Sequence, residues 1–409
     1  MSPAGSFESL NAAIQGGADA VYFGVGKLNM RSRSSQNFNI YDIEQIADLG
    51  RSKKIKTYLT LNTVVFDEEL QEVEAIVKTA KQHGIDAIIA SDRAVINKAI
   101  ENGMPVHAST QCNISNIEAV RYYARFCDVV VLARELSLGQ IENICYKVAQ
   151  EKIKGFSGHT LRIECFVHGA LCMAISGKCY LSLDNLNYSA NRGACLQQCR
   201  RTYKVTDTED GHQMLVDGPY IMSPKDLCTI GFLDKIIDAG VSVLKIEGRG
   251  RAPEYVKTVT QCYKEAAESI IQKSYNEEKV QLWTKKLKKV YNRGFWEGYY
   301  MGKKTGEWTE KYGSQATSKK EYVGKVTNFF SKIKVAEIKL ESGTISTGDE
   351  ILFIGPTTGV VNLKITELRV DYDKVSTARK GDVCSTAVDF VRRGDAVYKI
   401  TKAADGKNA

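Results

Sequence analysis

Five cysteines stand in one short stretch of this chain: Cys165, the pair Cys172-x6-Cys179, and the pair Cys195-x3-Cys199, with Cys228 a little further on. Glycine and polar residues surround them, as in His168-Gly169-Ala170-Leu171-Cys172, Ser176-Gly177-Lys178-Cys179 and Asn191-Arg192-Gly193-Ala194-Cys195. Loops that wrap a metal centre use glycine for left-handed turns and for room beside the ion. Thiolates are soft ligands that select zinc, copper(I) or iron–sulfur centres. Core packing seldom concentrates cysteines in glycine-rich loop sequence, so the segment reads as a metal or cluster site rather than scattered core residues.

A second set of chemistry-bearing residues follows a run of apolar segments that read as strands. In a (β/α)8 barrel, reactive groups project from the C-terminal ends of the strands. Those ends carry Asn62; Ser91 and Asp92; Ser109, Thr110 and Gln111; Arg134 and Glu135; Glu164 and His168; and Lys245, Glu247 and Arg249. The ring is mixed in charge, and Arg134, Lys245 and Arg249 are candidate anchors for carboxylates or phosphates. Glu164–Lys245 and Glu135–Arg249 are equally candidates for plain salt bridges. Glu164 and His168 are the candidate catalytic pair, with a hydrogen-bonded structural role as the alternative for the histidine. Ser223-Pro224-Lys225-Asp226 reads as a helix start, with serine as N-cap and proline in the first turn. That places Cys228 near a positive helix end and makes it a candidate remote thiolate ligand.

The elements that must position these groups alternate through residues 1–272. Helices over 7–17, 40–53, 67–83, 93–102, 115–126, 138–151 and 224–239 precede strands over 18–24, 55–62, 86–91, 105–110, 128–133, 161–167 and 241–247. Asp128-Val129-Val130-Val131-Leu132 is nearly all apolar, as expected of a strand covered on both faces. The repeat predicts an α/β fold, a (β/α)8 TIM-like barrel with a cysteine-rich insertion near 167–220 that is too long for an ordinary βα loop. Residues 1–5 read as the end of a first strand whose body is missing. Residues 273–318 form a basic, aromatic helical linker, either a solvated face or part of a nucleic-acid surface. Over 319–403 the pattern changes to short alternating strands punctuated by Gly348-Asp349, Gly381-Asp382 and Gly394-Asp395, which predicts a small C-terminal β-barrel. Its layout resembles the second-domain barrel of translation GTPases.

The 409 residues are 43% hydrophobic and 25% charged, ordinary for a soluble protein. No apolar stretch reaches the length of a membrane span and no basic-then-apolar leader opens the chain, which predicts a cytoplasmic protein without a membrane partner. Thiols stay reduced there, so the 11 cysteines read as ligands plus core residues rather than disulfides. A net charge of +8 permits a polyanionic partner without demanding one.

The run Glu164-Cys165-Phe166-Val167-His168-Gly169-Ala170-Leu171-Cys172, followed by Gly177-Lys178-Cys179-Tyr180-Leu181-Ser182, resembles the signature of the U32 family, the collagenase-like peptidases. Ser2-Pro3-Ala4-Gly5, Gly17-Ala18-Asp19-Ala20-Val21-Tyr22, Ser223-Pro224-Lys225-Asp226-Leu227 and Leu244-Lys245-Ile246-Glu247-Gly248-Arg249 extend that resemblance along the barrel. Asn292-Arg293-Gly294-Phe295 and the C-terminal barrel are similar to the family's tRNA hydroxylation branch. The resemblance implies an oxygen-independent hydroxylase with a 4Fe–4S cluster, forming 5-hydroxyuridine at the tRNA wobble position with prephenate as co-substrate. It implies Cys172, Cys179, Cys195 and Cys228 as cluster ligands, with Cys199 competing with Cys195 for the third place. Asn62, Gln111, Arg134, Lys245, Glu247 and Arg249 are then the substrate-binding residues, and tRNA and a small carboxylate the partners; no motif specifies an electron-transfer protein. Two other readings are a collagenase-like peptidase and a zinc-stabilised RNA-binding protein. The chain carries no His-Glu-x-x-His helix and no Gly-x-Ser-x-Gly elbow.

Overall fold

The computed structural model describes residues 1–33, 36–206, 208–211, 213–214, 220–303 and 305–403. Seven strands lie side by side in chain order and parallel: β1 (Ser2–Pro3), β2 (Ala20–Gly24), β3 (Lys56–Leu61), β4 (Ala87–Ala90), β5 (Val106–Ala108), β6 (Val129–Val131) and β7 (Arg162–Ala170). Their apolar runs are buried on both faces, and Phe23, Leu59, Ile88 and Val130 are fully enclosed. Between them run α1 (Phe7–Gln15), α2 (Asp42–Lys53), α3 (Leu70–His83), α4 (Arg93–Glu101), α5 (Ile117–Ala124) and α6 (Leu138–Gln150). Each turns an apolar stripe inward: in α3 the buried residues are Val73, Ile76, Val77 and Ala80, the spacing of one helical face.

After β7 the chain makes the cysteine-rich excursion, with a short α7 (Leu181–Leu186) and a hairpin of β8 (Val205–Thr206) and β9 (Gln213–Met214). It returns as β10 (Asp226–Cys228), α8 (Leu233–Asp238) and β11 (Val243–Ile246), the last parallel to β7. Two backbone bonds join β11 to the first residue: Met1 N donates to Leu244 O at 2.8 Å, and Ile246 N to Met1 O at 3.1 Å.

The helix predicted over 224–239 is corrected. Residues 226–228 are a strand antiparallel to the end of β7, and the helix starts only at Leu233. Arg200 supplies the reason, because its Nη1 takes the Ser223 hydroxyl at 3.0 Å and the Pro224 carbonyl at 2.6 Å, so the serine does not cap a helix. Asp226, only 1% exposed, is held between Arg293 at 3.5 Å and Arg251 at 3.7 Å, a match available inside the sheet.

The stretch predicted as a linker includes a helix packed on the one before it. Following α9 (Pro253–Ile271), α10 (Glu277–Lys289) buries Val280, Trp283 and Leu287 while its lysines face outward. β12 (Phe295–Trp296) then pairs with β10.

The remaining strands are antiparallel: β13 (Ser318–Phe330), β14 (Val335–Leu340), β15 (Thr344–Ser346), β16 (Glu350–Gly355), β17 (Gly359–Lys364), β18 (Arg369–Val370), β19 (Asp373–Lys374), β20 (Thr377–Arg379), β21 (Val383–Ala387) and β22 (Ala396–Lys402). The three Gly–Asp turns share one construction. Asp349, Asp382 and Asp395 each accept from the backbone N–H three residues earlier, at 2.7 Å, after a glycine with positive φ.

This unit does not stand apart from the α/β part of the chain. Leu352, Ile354 and Val360 belong to the main core, against α1 and α9. Gln15 donates to Thr358 O at 2.8 Å and accepts from Val360 N at 2.9 Å, and Lys257 reaches Val360 O at 2.7 Å. Gln15→Ala, which orphans a strand-end amide and a carbonyl, is expected to lower unfolding free energy by about 1–3 kcal/mol in denaturant titration.

Candidate functional site

A cavity of about 540 Å³ opens at the C-terminal ends of the parallel strands. Tyr22, Thr60, Ile89, Phe166 and Lys245 line it from strands β2, β3, β4, β7 and β11, and the residues just past the strand ends form its wall. The cysteine-rich segment lies across it.

The wall is rich in guanidinium groups. Arg31 binds Glu247 Oε1 through Nε at 3.0 Å and Nη2 at 2.7 Å. Burial would raise the Glu247 carboxyl, but Arg31, Arg249 and Arg134 outweigh it and bring its pKa down to about 2. Arg249, 5% exposed, donates from Nη1 to two neutral oxygens, Asn29 Oδ1 at 3.0 Å and Thr60 Oγ1 at 2.7 Å, while its Nε has no partner. Arg134 lies over the Phe166 ring, with Nη2 on Ser176 Oγ at 2.9 Å and Nη1 on Ala170 O at 3.3 Å.

Two amides complete the wall. Asn62 braces neighbouring loops, accepting from Met30 N and donating to Ser109 Oγ, both at 3.2 Å. Gln111 presents a buried amide oxygen without a partner, as does the hydroxyl of Thr110. Gly177 (φ +73°) lets the cysteine loop lie on Gln111, since a Cβ there would stand 2.6 Å from its Oε1.

Of the predicted salt bridges, one forms. Lys245 Nζ meets Glu164 Oε1 at 2.6 Å with both side chains buried, so the lysine's charge is matched. Glu164 lies beneath the wall rather than on it. Glu135 is exposed and Arg249 turns to Asn29 instead.

His168 lies away from the cavity. It is buried against Tyr255, Tyr263 and Phe295, with Nδ1 3.3 Å from Tyr263 OH, and is not among the cavity residues. Burial, with a smaller push from Arg251, lowers its pKa to about 3, so the ring is neutral.

Cys172, Cys179, Cys195 and Cys199 all line the cavity, and none is in a disulfide. Cys172 is exposed; local desolvation opposes its ionisation, yet Arg134, Arg31 and Arg200 prevail and hold its pKa below the ordinary thiol value. Cys199 is pushed up to about 11, chiefly by burial, with Cys172, Cys195 and Cys179 adding to the rise against Arg200. The expected fourth ligand, Cys228, does not join them. β10 turns its sulfur toward Tyr263 of α9, 3.9 Å from the phenol oxygen, and onto a different cavity.

Among the described residues, no three His, Cys, Asp or Glu side chains are gathered at metal-ligating spacing. The four thiols share a wall, not a point. Their soft donor chemistry and the surrounding guanidinium groups nevertheless suit an anionic thiolate-bound cluster.

Two important residues escaped the sequence reading. Arg31 lies in the loop after β2, where Met30-Arg31-Ser32-Arg33 was the available signal. Arg200 pins the cysteine segment to the end of β7 through Leu171 O at 2.6 Å; its signal was the basic pair directly after Cys199.

The chain is similar to several known proteins. A collagenase of Porphyromonas gingivalis is 53% identical over 403 residues, 98% of this chain and 97% of its own. The tRNA hydroxylation protein P1 of Bacillus subtilis is 31% identical over 364 residues, 87% of this chain and 83% of its own. The 23S rRNA 5-hydroxycytidine C2501 synthase of Escherichia coli is 36% identical over 276 residues, 66% of this chain and 39% of its own. The model of peptidase family U32 matches residues 5–310, and the chain belongs to that family.

Proposed function

We propose that this chain is an oxygen-independent RNA hydroxylase that forms 5-hydroxyuridine at the tRNA wobble position, with prephenate as co-substrate. The observation that carries the reading is one cavity in which four thiols face three guanidinium groups. Relatives named as tRNA and rRNA hydroxylation proteins support an RNA hydroxylase role. We read the parallel sheet as a (β/α)8 barrel completed where Met1 bonds to β11, and the antiparallel sheets as a small β-barrel.

Cys172, Cys179, Cys195 and Cys199 would hold a 4Fe–4S cluster, which when bound supplies one-electron chemistry beside the substrate. The other residues act in binding. Arg134 and Arg249 hydrogen-bond to neutral oxygens beside the Glu247 carboxylate, so they are the anchors for a dicarboxylate such as prephenate. Lys245, matched by Glu164, gives up that role and sets the cavity floor. The unpartnered oxygens of Gln111 and Thr110 are acceptors for a pyrimidine N–H. Met173 and Tyr180, exposed on the overlying segment, close over a bound base and exclude water.

The name of the 53% identical relative favours a second reading, a collagenase-like peptidase. A cysteine nucleophile needs a base within hydrogen-bond reach. Among the described residues no histidine lines the cavity, so Cys172 has no imidazole partner.

Protein purified without oxygen should carry iron and sulfide and absorb in the visible. Cys199→Ala should lose both signals and Cys228→Ala should keep them; the reverse pattern would restore Cys228 as the fourth ligand. Arg134→Gln should weaken prephenate binding by about tenfold in calorimetry, the loss of one charged bidentate contact. Mass spectrometry of tRNA from complemented cells should show 5-hydroxyuridine with the wild-type chain and none with Cys172→Ala. Gelatin cleavage by metal-controlled protein, without any modified nucleoside, would favour the peptidase.

A further inference from the structure

A second cavity, of about 580 Å³, lies between the barrel and the antiparallel sheet. The start of α1 and the loop Arg249-Gly250-Arg251-Ala252 form one side; β13 and β22 contribute Lys320 and Tyr398 to the other. Arg33, Arg249, Arg251 and Lys320 face it, against the single carboxylate of Glu8 among the described lining residues.

Two independent features ask for an anion there. The 19-residue α9 opens into the cleft with Pro253 in its first turn; Tyr255 N bonds Ala252 O at 3.0 Å, and the N-cap Ala252 offers no side-chain acceptor to the Glu254 amide. Arg249, buried and lining this cleft as well as the thiol cavity, keeps an Nε donor without a partner. The remaining cations are held in place by neighbours. Arg251 stacks at 3.8 Å on Tyr291 and lies 3.7 Å from Asp226. Lys320 is 2.9 Å from Glu254 and 4.8 Å from the Tyr398 ring, and Arg33 stacks at 4.3 Å on Tyr188. An anion in the cleft therefore meets donors already fixed in position, with little ordering cost left to meet.

We propose that this interdomain cleft binds a phosphate group, supplied by the backbone of the RNA strand whose base enters the thiol cavity. The RNA source rests on the hydroxylase reading; the phosphate chemistry does not. Arg249 lines both spaces, so a nucleotide in one places a flanking phosphodiester at the other. Phosphate contacts of this kind fix register while the base is read elsewhere. The loop after the last parallel strand, with a following helix N-terminus, is also a recurrent phosphate site of this architecture. The C-terminal sheet then acts as the second jaw of an RNA clamp, through Lys320.

The test uses the full chain with Lys320→Gln, Arg33→Gln and their combination, and Lys332→Gln in the β13–β14 turn as a remote control. Thermal melting first confirms that each variant is folded. Fluorescence anisotropy with a labelled anticodon stem-loop RNA is measured across a salt series, and calorimetry with uridine 5′-monophosphate and with inorganic phosphate. Each cleft substitution should weaken RNA binding about three- to tenfold at low salt and flatten the log–log salt slope by about 0.7, with the control unchanged. Loss of uridine 5′-monophosphate or phosphate binding with an unchanged RNA slope keeps the phosphate site and overturns its assignment to RNA. No change in any measurement, or an equal change in the control, overturns the cleft altogether. A flattened slope in a protein that makes no 5-hydroxyuridine would sink the hydroxylase reading and leave the cleft standing.

Discussion

The buried pair of Lys245 and Glu164 is the interaction on which the rest of the site depends. Its 2.6 Å contact lies inside the parallel sheet, where both groups have left water. Removing either partner would strand a charge, at a cost of about 3–5 kcal/mol. The pair locks β11 against β7 in one register, with Val243 opposite Glu164 and Lys245 opposite Phe166. That register carries Glu247 and Arg249 to the rim and keeps Phe166 on the floor. β7 then continues to Ala170, where β10 returns to pair with its end, so the cysteine segment leaves and re-enters the fold at fixed points.

Charge balance gives the cavity its chemical character. Arg31 forks onto Glu247 Oε1 and Lys245 meets Glu164, while Arg134 and Arg249 hydrogen-bond to neutral oxygens and add to the positive field on Glu247. Burial lowers Arg249 to about 10, so even its charge is held at some expense. A cavity of low effective dielectric with surplus positive charge favours anions entering it. Thiolates and a carboxylate or phosphate ligand satisfy that balance. A neutral peptide segment would leave it unmet, which is the physical weight against the peptidase reading.

The sequence revealed much of this frame because its signals were local. Continuous apolar runs marked the parallel strands, one-face spacing marked α3, and the Gly–Asp pairs marked turns that share one hydrogen-bond pattern. What escaped depended on partners distant in the chain. Ser223-Pro224-Lys225-Asp226 satisfies every local rule for a helix start, yet Arg200 takes the serine and two arginines hold the aspartate inside a sheet. His168 sits at a strand end like its neighbours, but rings from α9 and β12 enclose it. Cys228 goes astray for the same reason as the helix: as part of a strand rather than a helix start, it faces Tyr263 instead of the other thiols. Short strands such as β18 and β19, with two residues each, carry too few side chains to show an alternation.

The antiparallel sheet docks beside the first and last of the parallel strands. β1 has two residues, and Met1 just before it exchanges two backbone bonds with β11. The helices outside that joint, α1 and α9, are the ones that receive Leu352, Ile354 and Val360 and the Gln15 and Lys257 hydrogen bonds. Apolar burial there packs the sheet on α1 and α9, which also pack on each other. The same docking sets Lys320 opposite Arg251, because α9 begins at Pro253 directly after the arginine loop. Packing on α1 and α9 and facing the arginine loop are therefore one geometric event: the sheet that buries Leu352, Ile354 and Val360 there also lines the basic cleft.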